Sequence, residues 1–203
     1  MSEQNGNNSI SFLLVGVGGQ GTILASNVLA ELGMSLGFDV KKAEVHGMSQ
    51  RGGSVTSHVR WGKKVYSPII TDGDADVMIA FEKSEAARYI QGLKPGGLVL
   101  VNDYGIIPIT VSSGGASYPQ DNSLRELLGR FTERQYWVDG IGIAETVGNA
   151  RTANVALLGA LSGLMQYDET PWLEVIARRV PPKFLEVNKA AFAQGRAAID
   201  SKN

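Results

Sequence analysis

The sequence predicts an α/β domain: a doubly wound, mostly parallel sheet with an antiparallel hairpin insertion and a helical C-terminal third. Three observations predict it. An apolar, β-prone run, Ile10–Val17, ends in the glycine-rich turn Gly16-Val17-Gly18-Gly19-Gln20-Gly21 and is followed by helical spacing. Further short apolar runs alternate with helix-patterned segments up to about residue 139. Beyond that point the apolar residues recur almost wholly at helical intervals. The strand–glycine turn–helix opening is Rossmann-like in pattern.

Taken in order, Ile10–Val17 is read as a buried parallel strand, because parallel strands covered on both faces are near-continuously apolar. Thr22–Leu36 follows as a helix, with Ile23, Leu24, Val28, Leu29, Leu32 and Leu36 on one stripe and Gly37 as its stop. Val40–Val45 is the second strand. His46–Gly53, with three glycines in eight residues, is a loop. Val55–Trp61 alternates two kinds of side chain and reads as a strand, and Gly62-Lys63-Lys64 predicts a hairpin into Val65-Tyr66. Val77–Phe81 is a strand, Ser84–Ile90 a helix, and Pro95-Gly96-Gly97 a turn into the strand Leu98–Asn102. Gly105–Asn122 is read as an irregular connection with short strand pieces. Ser123 and Glu126 have capping-box spacing for a helix running to about Thr132. Gln135–Asp139 is the last strand. The helices Ile141–Val147, Ala153–Met165, Pro171–Val180 and Lys183–Ile199 complete the chain, with Pro181-Pro182 stopping the third of them. Residues 1–9 are read as a frayed tail and 10–203 as one domain.

At 203 residues there is enough chain for one well-buried core. A formal net charge of -1 argues against a broadly basic nucleic-acid binder. No apolar run approaches the roughly 20 residues of a membrane helix, and the opening MSEQNGNNS lacks a secretory pattern, so a cytoplasmic setting without membrane attachment is expected. The chain has no cysteine. That excludes a cysteine nucleophile, a disulfide framework and cysteine-ligated iron–sulfur clusters on this chain. With His46 and His58 as the two histidines, a zinc site is not expected either.

Gly16, Gly18, Gly19, Gln20 and Gly21 are the first candidate binding set. Glycines let backbone approach a ligand, and the following helix aims free N–H groups at the same place. Glu44 stands near the position where a dinucleotide site carries an acid for the ribose. Three readings are open: a dinucleotide site, glycines serving only close helix–strand packing, and binding of a phosphate or diphosphate, held directly or by a docked partner. Gln20 weighs against the first, because a long amide inside the turn competes with a pyrophosphate for space.

The second set is the loop HGMSQRGG. Ser49, Gln50, Arg51, Gly52 and Gly53 are candidate binding residues, with Arg51 the best anion ligand because its fork is planar and permanently charged. His46 is a candidate proton donor or a hydrogen-bonding strut. Met48 is read as a packing residue. Ser54 has no base arranged near it for a hydrolase triad. The loop leaves the end of the second strand, so it is expected to line the same crevice as the glycine turn. Asp72-Gly73-Asp74 lacks the further ligands of a calcium loop and is read as a solvated turn. In Asn149–Asn154, Arg151 and Asn154 lie one helical turn apart; they reach a ligand or partner, or the stretch is simply a capped helix start.

GVGGQG, EVHGMSQRGGSV, VYSP and NARTANVALLGALS together resemble the γ-domain family of the 2-oxoacid:ferredoxin oxidoreductases, over about Ile10 to Gly195. HGMSQRGG resembles its indolepyruvate branch, the β subunits of indolepyruvate:ferredoxin oxidoreductases. The resemblance implies a subunit of an enzyme that decarboxylates an aryl 2-oxoacid on thiamine diphosphate and passes electrons through iron–sulfur clusters to ferredoxin. The acyl group leaves as an acyl-CoA. It implies a larger partner that carries thiamine diphosphate, magnesium and the clusters, with coenzyme A as co-substrate. The chain carries no GDG followed by NN for magnesium diphosphate, and Asp72-Gly73-Asp74 has the order reversed. Alone, the chain is expected to be inactive, and an isolated copy is expected to pair with itself through the surface its partner covers. Two alternatives stand beside this: a free-standing NAD(P)- or flavin-dependent oxidoreductase, and a purely structural assembly subunit.

Overall fold

In a computed structural model that describes residues 9–46, 53–115 and 117–200, the apolar run Ile10–Val17 is the central strand β1. Around it lie β2 (Asp39–His46), β3 (Ser54–Gly62), β4 (Ala75–Ala80), β5 (Leu93–Asn102) and β6 (Gln135–Val138), in the spatial order β2-β3-β1-β4-β5-β6. β1, β4, β5 and β6 run parallel. β3 is antiparallel to both its neighbours, with Val17 opposite Ser54 on one side and His46 opposite Val55 on the other.

The antiparallel insertion is therefore β3 itself, wedged between β1 and β2. The expected hairpin of Gly62 into Val65-Tyr66 does not form. Both edges of β3 are already taken, so residues 65–66 have no free ladder to join. Instead Val65 N donates to the Asp39 carboxylate at 2.9 Å, and Val65 and Ile70 bury their side chains. Pro95-Gly96-Gly97 is likewise not a turn before a strand. It is a bulge inside β5, across which the pairing with β4 shifts between Ala75 and Val77.

Side chains alternate across the sheet and feed two cores. Phe12 and Leu14 face one, with Val59, Ile79 and Leu100; Leu13 and Val15 face the other, with Met78, Val99 and Val101. The first core is covered by α1 (Thr22–Ser35), α6 (Ala153–Leu164), α7 (Glu169–Arg179) and α8 (Leu185–Asp200). The second is covered by α2 (Lys83–Tyr89) and, beyond the short α3 (Ile109–Ser112), by α4 (Asp121–Gly129). α5 (Gly140–Thr146) follows β6. The helix after β1 and the helix after β4 thus lie on opposite faces, which puts the switch point of the winding between those two strands.

Local starts differ from expectation where side chains found other partners. α4 begins at Asp121, which takes an ion pair from Lys83 at 2.6 Å, and Ser123 is already inside the helix. α7 begins at Glu169, because the Asp168 carboxylate accepts from Thr170 N at 2.7 Å; Pro171 is its third residue. Among the described residues of 105–122 there is a short helix and no strand.

Candidate functional site

The turn after β1 is built inward. The Gln20 side chain folds into it: its carbonyl oxygen accepts from Val17 N at 2.7 Å, and its amide donates to the Phe81 carbonyl at 2.9 Å. Gly18 N donates to the Gly53 carbonyl at 2.9 Å, which ties the turn to the stem of the second loop. Gly21 has φ 83°, a left-handed conformation, and a Cβ there would run into the Asn154 side chain. Asn154 is buried at the start of α6 and donates to the Gly21 carbonyl at 3.3 Å. Among the described residues no side chain caps α1, which leaves its first-turn N–H groups available beside the turn.

At the end of β4 the dipeptide Phe81-Glu82 gathers the neighbouring elements. The Phe81 carbonyl also accepts from Asn102 Nδ2 at 3.1 Å, and Asn102 Oδ1 accepts from Gly140 N at 3.0 Å, joining β5 to the start of α5. Glu82 is fully buried. One of its oxygens accepts from Glu85 N at 2.9 Å and Ser84 Oγ at 2.6 Å, capping α2; the other accepts from Ile106 N at 3.1 Å and from the Tyr118 hydroxyl. Burial, and then the bond to Glu82, push the Tyr118 hydroxyl far above the ordinary tyrosine value, so it stays a donor.

These groups enclose a cleft of about 700 Å³ at the carboxyl edge of the sheet, over the switch point. Gly18, Gly19, Gln20 and Gly21 form one wall, and Ala150, Arg151 and Asn154 another. Phe81 and Asn102 form the floor, while Tyr104, Ile106 and Ile141 close the apolar side. Arg151 supplies a cation, and no carboxylate is among the described lining residues. With the uncapped helix start, that makes the polar end a place for negative charge.

The cleft and Gly53, the last residue of the HGMSQRGG stretch, lie on opposite sides of the glycine turn. The cleft extends toward β4, β5 and α5, whereas Gly53 meets Gly18 on the β3 side. Gly18, Gly19, Gln20 and Gly21 line the cleft; Gly16 is in β1, packed close to Gln20 and Phe81. His46 is the last residue of β2, paired in register with Val55. Gly47, Met48, Ser49, Gln50, Arg51 and Gly52 lie outside the described residues. Beside that loop's stem, Ser54 Oγ donates to Glu85 at 2.5 Å and meets the Tyr89 hydroxyl at 2.9 Å, and Arg88 pairs with Glu85 at 2.9 Å. Burial raises the Glu85 carboxyl above its ordinary value, against the opposing pull of Ser54 and Arg88.

Two elements of a dinucleotide site are out of place. Glu44 is on β2, separated from β1 by the whole of β3 and paired with Lys42 at 2.5 Å, so it stands about 10 Å across the sheet from β1. Gln20 fills the inside of the turn. His58 is structural: its Nδ1 accepts from Ile70 N at 3.1 Å, and burial, helped by Arg60, holds it below the ordinary histidine value. Asp74 pairs with Arg60 and its N–H closes a turn onto Thr71 O at 3.2 Å, as a solvated turn does. The cleft residues that sequence reasoning missed are Phe81, Asn102, Tyr104, Ile106 and Ile141. A polar residue closing an apolar strand run, as in LVLVN and IAFE, was the available signal for Asn102 and Glu82.

Fold and site together define a doubly wound α/β domain with a positively biased cleft at its switch point. The chain belongs to the pyruvate ferredoxin/flavodoxin oxidoreductase family, which matches residues 11–198. It is 42% identical over 188 residues to indolepyruvate oxidoreductase subunit IorB of Thermococcus kodakarensis, covering 91% of this chain and 93% of that relative. It is 41% identical over 203 residues to the IorB subunit of Pyrococcus horikoshii, covering 95% and 98%. Among solved structures, it resembles the γ subunit of a keto/oxoacid ferredoxin oxidoreductase from Geobacter sulfurreducens, with TM-score 0.68, 25% identity and coverage of 95% and 99%. The fold recurs in 2-oxoglutarate:ferredoxin oxidoreductase from Magnetococcus marinus at TM-score 0.71 and 21% identity, covering 97% of this chain and 32% of that one. Among the described residues no helix is long and apolar enough to cross a membrane.

Proposed function

We propose that this chain is the small subunit of an indolepyruvate-type 2-oxoacid:ferredoxin oxidoreductase, inactive alone, and that it completes the active site from one side of a larger partner. The overall reaction releases carbon dioxide from an aryl 2-oxoacid, joins the acyl group to the thiol of coenzyme A and delivers two electrons to ferredoxin. Thiamine diphosphate, with magnesium, on the partner supplies the electron sink for decarboxylation, and iron–sulfur clusters there carry the electrons. This chain has no cysteine with which to hold a cluster. Its own part is to bind and orient.

The observation that carries the reading is the cleft: the start of α1, steadied by Asn154 on Gly21, and the cationic Arg151 border a space lined on its other side by Tyr104, Ile106 and Ile141. That combination suits the diphosphate arm of coenzyme A, with the apolar side against its organic portion. Arg51, Gln50 and Ser49 on the second loop are assigned to an anionic group of the substrate or cofactor at the subunit interface, and His46 to positioning of the substrate.

In the reconstituted complex, Arg151→Ala is expected to raise KM for coenzyme A on the order of ten-fold, the loss of one charge-assisted contact, with partner affinity unchanged. Arg51→Ala is expected to lower turnover or raise KM for the 2-oxoacid or coenzyme A. Unchanged kinetics in Arg151→Ala would remove coenzyme A from the cleft, and unchanged kinetics in Arg51→Ala would remove Arg51 from the site. A purely structural subunit predicts instead that both variants fail to join the complex on size exclusion. A free-standing dehydrogenase predicts heat on titration of the chain with NAD(P) or a flavin.

A further inference from the structure

We propose that Glu82 is a positioning residue for the cleft: through Ile106 and Tyr118 it fixes the distance between the apolar wall and the glycine turn, and so sets the affinity for the ligand held between them. The proposal rests on the reading of the cleft as the coenzyme A site.

A helix start needs only a short side chain as a cap, and such caps are ordinarily Ser, Thr, Asp or Asn. Here the cap of α2 is a glutamate with no exposed surface. Burying a carboxyl group is costly unless each oxygen is matched by donors, and Glu82 is matched by four of them. Two of the four serve α2. The other two have nothing to do with starting a helix: Ile106 N belongs to the segment that walls the cleft, and the Tyr118 hydroxyl packs against Gly105 of that segment. Lys83 N, the next residue, donates to the Tyr104 carbonyl at 3.1 Å, so the same chain position grips the wall twice. The preceding residue, Phe81, holds the opposite wall through Gln20 and the floor through Asn102. Three sides of the cleft therefore refer to one stretch, Phe81 to Lys83, at the end of the rigid strand β4. In a packed interior a side chain that is fully bonded in one arrangement transmits that arrangement to what it touches.

The test uses the holoenzyme reconstituted with the larger subunit. Tyr118→Phe keeps the ring and removes one donor; Glu82→Gln keeps the shape and one acceptor. Both are expected to raise KM for coenzyme A about three- to ten-fold with kcat within about two-fold, the pattern of lost positioning rather than lost chemistry. Hydrogen exchange at the Ile106 amide is expected to quicken in both. A merely structural Glu82 would lower Tm and leave the ratio of KM to kcat as in wild type, and Tyr118→Phe with wild-type KM and wild-type Ile106 exchange would overturn the proposal. Arg151→Ala in the same assay separates the two claims. If it leaves KM for coenzyme A unchanged, the coenzyme A reading falls and takes this proposal with it; if it raises KM while Tyr118→Phe and Glu82→Gln do not, the proposal alone falls.

Discussion

At the crossing of α6 and α8 the two helix backbones touch. A Cβ on Gly159 would strike the Phe192 carbonyl, and a Cβ on Gly195 would strike the Ala156 carbonyl, a reciprocal contact with no polar side chain in it. At the carboxyl edge of the sheet, elements of the same chain meet through Gln20, Glu82, Asn102 and Asn154, each placing amide or carboxyl atoms against backbone. The first junction is made of shape and apolar burial. It tolerates no added volume at Gly159 and Gly195, and among the described residues a side-chain bond, Arg196 to Ser162 Oγ at 2.9 Å, crosses it beside the apolar contact. The second is made of directional bonds and leaves a cleft open in its middle. Where only cohesion is needed, close packing serves; where an empty space must keep its shape, the chain uses hydrogen bonds whose geometry is fixed.

The sharpest way to break that contrast is to add bulk at the first junction. Gly195→Leu is expected to cost about 3 kcal/mol or more in denaturant unfolding, because the obstruction is backbone and cannot swing aside. A loss below about 1 kcal/mol would mean that the helices separate easily and that the contact is not a packing constraint.

Gly21→Ala probes the seam between the two junctions, since Asn154 belongs to α6 and Gly21 to the cleft. The left-handed backbone alone is expected to cost about 1–2 kcal/mol, and displacement of Asn154 to raise KM for coenzyme A in the complex. Loss of stability with intact kinetics would place Asn154 on the cohesive side of the comparison.

The smallest effect belongs to the polar side. Burial, opposed by Ser54 and Arg88, holds the Glu85 carboxyl above its ordinary 4.5, so the folded state keeps this proton more tightly than the unfolded chain. Its stabilising contribution is complete below about pH 4.5 and is lost as pH rises through the folded value. Stability followed as pH rises from below the ordinary carboxylate value is expected to lack that descent in Glu85→Gln. Parallel curves for wild type and variant would show that Glu85 is not titrating in its buried setting.

The same contrast explains what the sequence made legible. Packing patterns are written locally: the short apolar run around Phe12 and Leu14, closed by a glycine turn, announces a strand, and the helical spacing of Val28, Leu29 and Leu32 a helix. The glycine turn and the Asn149–Asn154 stretch were legible for a similar reason, as unusual residues at fixed short spacings. The placement of β3 was not. Gly62-Lys63-Lys64 looks like a hairpin, but whether a strand has a free edge depends on partners some 50 residues away, such as Ile10 opposite Trp61. The cleft's framework was hidden too, since Gln20 meets Phe81 across 61 positions and Asn102 meets Gly140 across 38.

Whether the working unit is this chain plus a larger partner is decided by titrating the purified larger subunit with this chain and following ferredoxin reduction by an aryl 2-oxoacid and coenzyme A. No turnover is expected from either alone, and activity is expected to rise with added chain to a plateau at equimolar amounts. Full activity of the larger subunit without this chain, or dehydrogenase activity of this chain by itself, would contradict that working unit.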